Sequence, residues 1–354
     1  MFRDLFSKSK RKSRKKGGTS GQVICIGSSS KDVFFPTDKG LVFETPEDVT
    51  AQKKIAFELG AKYQVDERFE TVGGCAANVA CGLSRLGINA HCCTKIGDDS
   101  IGEWIREELE KKGVGLESLQ KEKNCKSDLS FILVDAKTGE RTVFSDRSAN
   151  DKLEIIPKKL RKADWLFISS LNGAWQENLN KILSFSESKK KRVAFNPGQK
   201  NIATDPEAVI GAISRSELLM LNKDEALEIV THVSLGANRK QLNDEAFLLN
   251  SLKNLGPRII LITDGIRGAW ALNDNGILHA AAMVVEAVDT TGSGDAFTSG
   301  FFAGVLKGKN LREALGWGIM NSSSSVKEYG GQKGLLVERE VANLAKKVKI
   351  ETIN

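Results

Sequence analysis

Val288-Asp289-Thr290-Thr291-Gly292-Ser293-Gly294-Asp295-Ala296-Phe297, continued by Thr298-Ser299-Gly300-Phe301-Phe302-Ala303-Gly304-Val305-Leu306, is a glycine turn that opens onto a run of small and aromatic residues. Such a run suits a buried helix. A Gly-Ser-Gly turn before it leaves several backbone N–H groups free at the helix N-terminus, where the macrodipole favours an anion. The stretch therefore reads as a phosphate cradle. Asp295 stands where the helix begins, so it is either the helix cap or a base facing the anion.

Working outward, a second turn of this kind lies near the other end of the chain. Gly73-Gly74-Cys75-Ala76-Ala77-Asn78-Val79-Ala80-Cys81-Gly82-Leu83-Ser84-Arg85-Leu86-Gly87 is a diglycine turn followed by an apolar helix that stops at Gly87. Before it, Val23 to Ile26 is a short strand that halts at Gly27-Ser28-Ser29-Ser30. Apolar runs of strand length recur at Ala90 to Lys95, Leu129 to Val134, Trp165 to Ser169, Arg192 to Asn196, Leu218 to Leu221 and Ile259 to Thr263. Between many of them fall segments of helical period: Ala76 to Leu86, Ile101 to Lys112, Glu177 to Ser184 and Glu225 to Val230. Strand, helix, strand over this length implies an α/β fold, a mostly parallel central sheet flanked by helices on both faces. Two stretches break the alternation: the polar and aromatic segment 31–70, and Leu129 to Ser148, a β-hairpin around Lys137-Thr138-Gly139-Glu140. Together they predict a small β lid from about residues 33–70 and 129–148.

At 354 residues the chain can hold one large α/β domain, placed here at 21–354. Its net charge of +7 is a property of one segment. Eight of the 52 Lys and Arg, against one of the 45 Asp and Glu, fall in residues 1–16, so the remainder is neutral and offers no bulk field for a polyanion. Residues 1–20 have the Lys, Ser and Gly composition of a disordered basic tail, whose partner would be a nucleic acid or an anionic surface if it has one. Six cysteines without a CxxC pair suit a reducing compartment, and no apolar run has the length of a membrane span or signal peptide. A cytoplasmic location is expected.

The two glycine turns together resemble the two signature segments of the ribokinase, or PfkB, carbohydrate-kinase family, the second at nearly every position. Gly27-Ser28-Ser29-Ser30-Lys31-Asp32 resembles the family's sugar-contacting turn, Asn222-Lys223-Asp224-Glu225 its Asn-x-x-Glu motif, and Thr263-Asp264-Gly265-Ile266-Arg267-Gly268 its nucleotide-binding turn. These segments keep the family's order from about Val23 to beyond Gly331, and five ordered matches carry weight that no single one has.

The resemblance implies a ribokinase-like fold and transfer of the γ-phosphoryl group of ATP to a hydroxyl of a carbohydrate, with Mg²⁺. Asp295 would be the base, and Gly292, Ser293 and Gly294 the anion hole. Asp32, Gly74 and Asn78 would bind the acceptor; Asn222, Thr263, Gly265 and Gly268 the nucleotide. Glu225 would act through water on Mg²⁺, and Asp289 matches a position that helps hold a monovalent cation such as K⁺. For Asn222 and Glu225 an ordinary helix start is the competing explanation. Asn321 and Ser322 to Ser325 would lie beside the adenine or form a small-residue helix face. The sequence departs from ribokinase where Ser30 replaces the usual Asn and Cys75 the usual Lys, which puts ribose itself in question.

An adenosine-like nucleoside kinase of the same family is the alternative. Phe34, Phe35, Phe43, Phe57, Tyr63 and Phe69 could wall a base, or bury a homodimer interface through the lid. A catalytically silent binding protein working through its tail would be expected to have lost the base or the anion hole, and both are present. No GxxxxGK[ST] or HRD/DFG set occurs, and His91, His232 and His279 lie outside every motif, which leaves them structural.

Overall fold

The computed structural model describes residues 21–45 and 53–353. The basic tail, and residues 46–52 of the expected lid, lie outside the described residues.

Strand Val23–Ile26 is apolar at every position because the sheet is covered on both faces. Val23 and Cys25 join a core with the helices Cys75–Arg85, Ser293–Leu306 and Leu311–Ser325, while Ile24 and Ile26 face a second core with the helix Trp175–Ser188. The sheet has nine strands. From Ala90–Cys93 at one edge, through Val23–Ile26, Trp165–Ile168, Arg192–Phe195 and Leu218–Asn222 to Ile259–Thr263, the strands run parallel. Ala269–Asn273, Gly276–Ala280 and Ile350–Ile353 then extend it antiparallel. This is the α/β architecture expected, with an antiparallel edge that the apolar-run pattern did not reveal.

One expected strand is two. Ala90–Cys93 pairs in the main sheet, whereas Lys95–Gly97 pairs with Gln120–Glu122 in a separate ribbon. Thr94 between them is fully buried, and its hydroxyl is tied to Ser29 and Asn150, which draws the chain out of the main sheet.

A four-stranded sheet stands beside the main one in the order Arg141–Asp146, Leu129–Asp135, Ser30–Thr37, Phe69–Gly73. Its strand Ser30–Thr37 starts just after Val23–Ile26 ends, so the buried residues Ser28 and Ser29 join the two sheets. That joint lies at the C-terminal ends of the parallel strands, where open α/β sheets place their ligands.

Candidate active site

The helix Ser293–Leu306 starts from Gly292 in the left-handed conformation, φ 73°. Only glycine suits this position. A Cβ there would also come within 2.6 Å of Gly331 Cα, because the Gly330-Gly331 loop packs directly on the turn. At Gly294, by contrast, a Cβ would meet nothing within 4 Å, so the backbone at the helix start opens onto free space as an anion cradle requires.

Asp295 lies in the first turn of this helix and makes no capping hydrogen bond. Its carboxylate instead accepts from Asn78 Nδ2 at 2.8 Å, on the helix Cys75–Arg85, whose first residue, Cys75, lies close enough to lower its pKa. The two glycine turns of the sequence thus meet at one carboxylate. The residue as a whole is part-exposed, but its carboxyl group is packed among protein atoms. Burial, aided slightly by the neighbouring Asp32, pushes its pKa up to about 6 against the lowering effects of the Asn78 hydrogen bond and of Cys75.

Asp32 sits in the buried joint between the sheets. Ser30 Oγ donates to its Oδ1 at 2.8 Å, and burial raises its pKa. Gly74 (φ 90°) has no room for a side chain, since a Cβ would lie 2.5 Å from Ser28 O. This close approach holds the helix carrying Asn78 against the strand end that leads to Asp32. Asp32, Gly74 and Asn78 are therefore brought together with Asp295.

On the other side of the glycine turn lies a cavity of about 440 Å³, lined in part by Thr263, Gly265, Gly268, Ser293 and Gly294. Three of the four residues assigned to the nucleotide thus share one space with two of the three assigned to the anion hole. Ser322 and Ser323 line it as well. Asn321 does not fit the adenine expectation: it is fully buried, donates to Ala296 O and Ser299 Oγ, and accepts from Leu336 N, so it ties helices together.

Asn222 and Glu225 form the reciprocal cap of the helix Lys223–Val233, with Glu225 N donating to Asn222 Oδ1 at 2.8 Å and Asn222 N to Glu225 Oε2 at 2.9 Å. The helix-start explanation is realised. It leaves a buried carboxylate whose pKa burial pushes up to about 7, raised also by Asp224, Glu228 and Asp295. Such a surplus of negative charge beside the cavity suits a divalent cation. Among the described residues no cluster of three or more His, Cys, Asp or Glu could hold a metal ion. Asp289 is 1% exposed; it accepts from Thr291 N and Thr291 Oγ1 through Oδ1 and from Gly330 N through Oδ2, pinning the glycine turn to the Gly330-Gly331 loop.

Four residues at the site carried no signal that was read from the sequence. Gln332 Nε2 donates to Asn78 Oδ1 at 2.8 Å and so fixes which end of the Asn78 amide faces Asp295; the Gly330-Gly331 pair just before it was the available hint. Arg141, from the smaller sheet, lines the 440 Å³ cavity and donates to Thr290 Oγ1. Cys75 shows in the sequence only as a departure from the family pattern, yet it acts on Asp295, lowering its pKa. Arg147 is the fourth: burial leaves its Nη1, like Gln332 Oε1, without a partner.

A helix N-terminus open to free space, a carboxylate of raised pKa beside it and a cavity of about 440 Å³ at the strand ends suit phosphoryl transfer. The chain matches the pfkB family carbohydrate kinase over residues 47–337, more than half of its length, and belongs to that family. It is a kinase with an alcohol group as acceptor. It is 25% identical over 329 residues to the ribokinase of Staphylococcus aureus, covering 91% of this chain and 99% of that protein. The nucleoside kinase of Methanothermobacter thermautotrophicus is 24% identical over 315 residues, 88% of this chain and 92% of that one. The solved ribokinase of Arabidopsis thaliana, complexed with ribose and ATP, superposes with a TM-score of 0.73 at 18% identity over 93% of this chain and 99% of that one, a likeness of fold.

Proposed function

We propose that this protein is an ATP-dependent sugar kinase in which Asp295 takes the proton of the acceptor hydroxyl. The observation that carries the proposal is the position of Asp295: its neighbours Ser293 and Gly294 line the nucleotide cavity, while its own carboxylate is hydrogen-bonded at 2.8 Å to Asn78 on the acceptor side. With a pKa near 6 the group is ionised at neutral pH yet remains a better base than a free aspartate. The backbone N–H groups of Gly292 to Gly294 would receive the transferring phosphoryl group, and Arg141 would add a positive charge at the same cavity.

Mg²⁺ entering with ATP would supply neutralisation of phosphate charge, with Glu225 as the carboxylate reaching it through water and Asn222 holding Glu225 in place. Asp32 would accept from acceptor hydroxyls while Ser30 steadies it. The four-stranded sheet would close over the acceptor as a lid, limiting attack of water on ATP. Asp289 would add K⁺ dependence if a cation competes for its oxygens, which omission of K⁺ from the assay tests.

A sugar is favoured over a nucleoside by where the aromatic residues fall. Strand alternation puts Phe35 on the face of the smaller sheet opposite Asp32, where it lines an outer cavity with Phe57, Tyr63, Phe131 and Phe144. Phe69 stacks on Tyr329 at 4.4 Å, and Phe34 is fully buried beside the same ring. That outer aromatic face, with Phe144 58% exposed, supports self-association through the lid, which sedimentation would test. The decisive assay is Mg²⁺- and ATP-dependent phosphorylation across sugars and nucleosides. Turnover on adenosine or inosine but on no sugar would transfer the assignment to the nucleoside kinases.

A further inference from the structure

Arg147 follows the strand Arg141–Asp146 and precedes the turn at Ala149-Asn150. Its place is fixed by a buried network. Asp128 accepts from Ala149 N and Asn150 N through Oδ1 and from Asn150 Nδ2 through Oδ2, while Asn150 Nδ2 also donates to Ser29 O in the joint between the sheets. Arg147 is thereby anchored beside the acceptor residues: its positive charge acts on Asp32, Cys75 and Asp128.

Despite that company its Nη1 is out of water and without a partner. Both oxygens of Asp128 are engaged in the turn and Asp32 Oδ1 accepts from Ser30, and neither carboxylate pairs with Arg147 Nη1. A guanidinium presents a planar fork matched to carboxylate and phosphate, and leaving a buried donor of this kind empty is unfavourable. At the base itself Cys75 brings a thiol rather than a cation, so a positive charge on this side comes from Arg147.

We propose that Arg147 binds an anionic group on the acceptor, so that the substrate is a polyol bearing a carboxylate or a phosphate rather than a neutral sugar. This rests on the sugar-kinase assignment above. The hydroxyls would meet Asp32 and Asp295, and the anionic end would fill the empty donor of Arg147. Arg147 is then a specificity-determining residue that takes no part in proton transfer.

The test compares kcat and KM for gluconate and 2-ketogluconate, for fructose 6-phosphate and ribose 1-phosphate, and for ribose, fructose and adenosine, in the wild type and in Arg147→Ala, Arg147→Gln and Arg147→Lys. The expected result is preference for one anionic set, with the set identifying carboxylate or phosphate. Arg147→Ala and Arg147→Gln should raise KM for it about 10- to 100-fold with little change in kcat. Arg147→Lys should recover part of the loss. KM for ATP and the melting temperature should stay near wild type, which separates a lost contact from a damaged fold. Turnover of a neutral sugar or nucleoside that matches or exceeds every anionic acceptor, with an Arg147→Gln variant that melts normally and leaves the ratio unchanged, would overturn the inference while leaving the kinase assignment standing. Transfer to no acceptor of any set, with ATP still bound, would remove the assignment and the inference together.

Discussion

Replacing Asp295 with Asn should lower turnover at least about 10²-fold and, at neutral pH, make the protein more stable. Burial lifts the carboxyl from its ordinary value of 3.8 to about 6. Roughly two units at about 1.4 kcal/mol each mean that keeping it ionised in the folded state costs about 3 kcal/mol above pH 6. An asparagine removes that cost but offers Asn78 a neutral acceptor in place of a charged one, which returns about 1 kcal/mol. The net gain is about 2 kcal/mol, or about 4 °C in Tm for a large domain. The sign with pH follows from the raised value. Between about pH 6 and 4 the folded wild type holds a proton that the unfolded chain has released, so the wild type gains stability as pH falls through 6 and the advantage of the variant vanishes near pH 4.5. Melting curves of both proteins without ATP or Mg²⁺ at pH 7.5 and 4.5, alongside turnover at pH 7.5, measure this. A loss of at least about 10²-fold in kcat belongs with the stability gain. A variant that is less stable at both pH values, or one of wild-type activity, would refute a desolvated base at this position.

Asn78→Ala removes a hydrogen bond that favours the ionised base, so the acid limb of kcat/KM should move to higher pH, above its wild-type midpoint near 6, as a pH-rate profile would show. Arg141→Ala should raise KM for ATP by about 10-fold while leaving the KM of the acceptor nearly unchanged, because the guanidinium lines the nucleotide cavity and bonds Thr290. Gly292→Ala should cost about 1–2 kcal/mol from the left-handed backbone alone, and more from the approach to Gly331 Cα, lowering both Tm and turnover. In the last case a variant with wild-type stability would show that the Gly330-Gly331 loop yields, and that the turn is not rigidly held.

The parts of the site that were legible in the sequence are those whose function is performed by the backbone. Gly292 and Gly74 are needed for a positive φ and a close approach, demands that no other residue meets, so their chemistry survives in the letter itself. The sheet was legible for a related reason: strands buried on both faces, such as Val23–Ile26 and Leu218–Asn222, can be built only from apolar runs. Residues that act through long-range geometry left no such trace. Gln332 reaches Asn78 across 254 positions, and Arg141 and Arg147 look like any charged residues near a hairpin until the smaller sheet sets the first against Thr290 and the second beside Asp32. Thr94 reads as one more residue of a strand, and only its bonds to Ser29 and Asn150 reveal that the chain leaves the sheet there. Asn222 and Glu225 show the opposite limit. Their spacing encodes a capping box and a metal-facing carboxylate equally well, and the folded protein realises the first while leaving Glu225 buried and electrostatically strained beside the cavity.

The division of labour between the two sheets explains how such a site can change substrate without losing its reaction. The proposed base, the proposed anion cradle and the larger part of the cavity assigned to the nucleotide belong to the main domain, on one helix and the turns at the strand ends. Asp32 and Arg147 belong to the smaller sheet and its following turn, joined to the main domain through Ser28 and Ser29 and the Asp128–Asn150 network. Ser30 in place of the usual Asn and Cys75 in place of the usual Lys fall on the acceptor side of this boundary. Asp295 sits on the boundary itself and is held from the acceptor side by Asn78, with Cys75 acting on its pKa. A substitution at Cys75 therefore tunes the basicity of Asp295 as well as the shape of the acceptor site. Cys75→Ala, which removes a group that lowers the pKa of Asp295, should shift the pH dependence in the same direction as Asn78→Ala, whereas a change at Arg147 should leave the pH dependence in place and alter only which acceptor is taken.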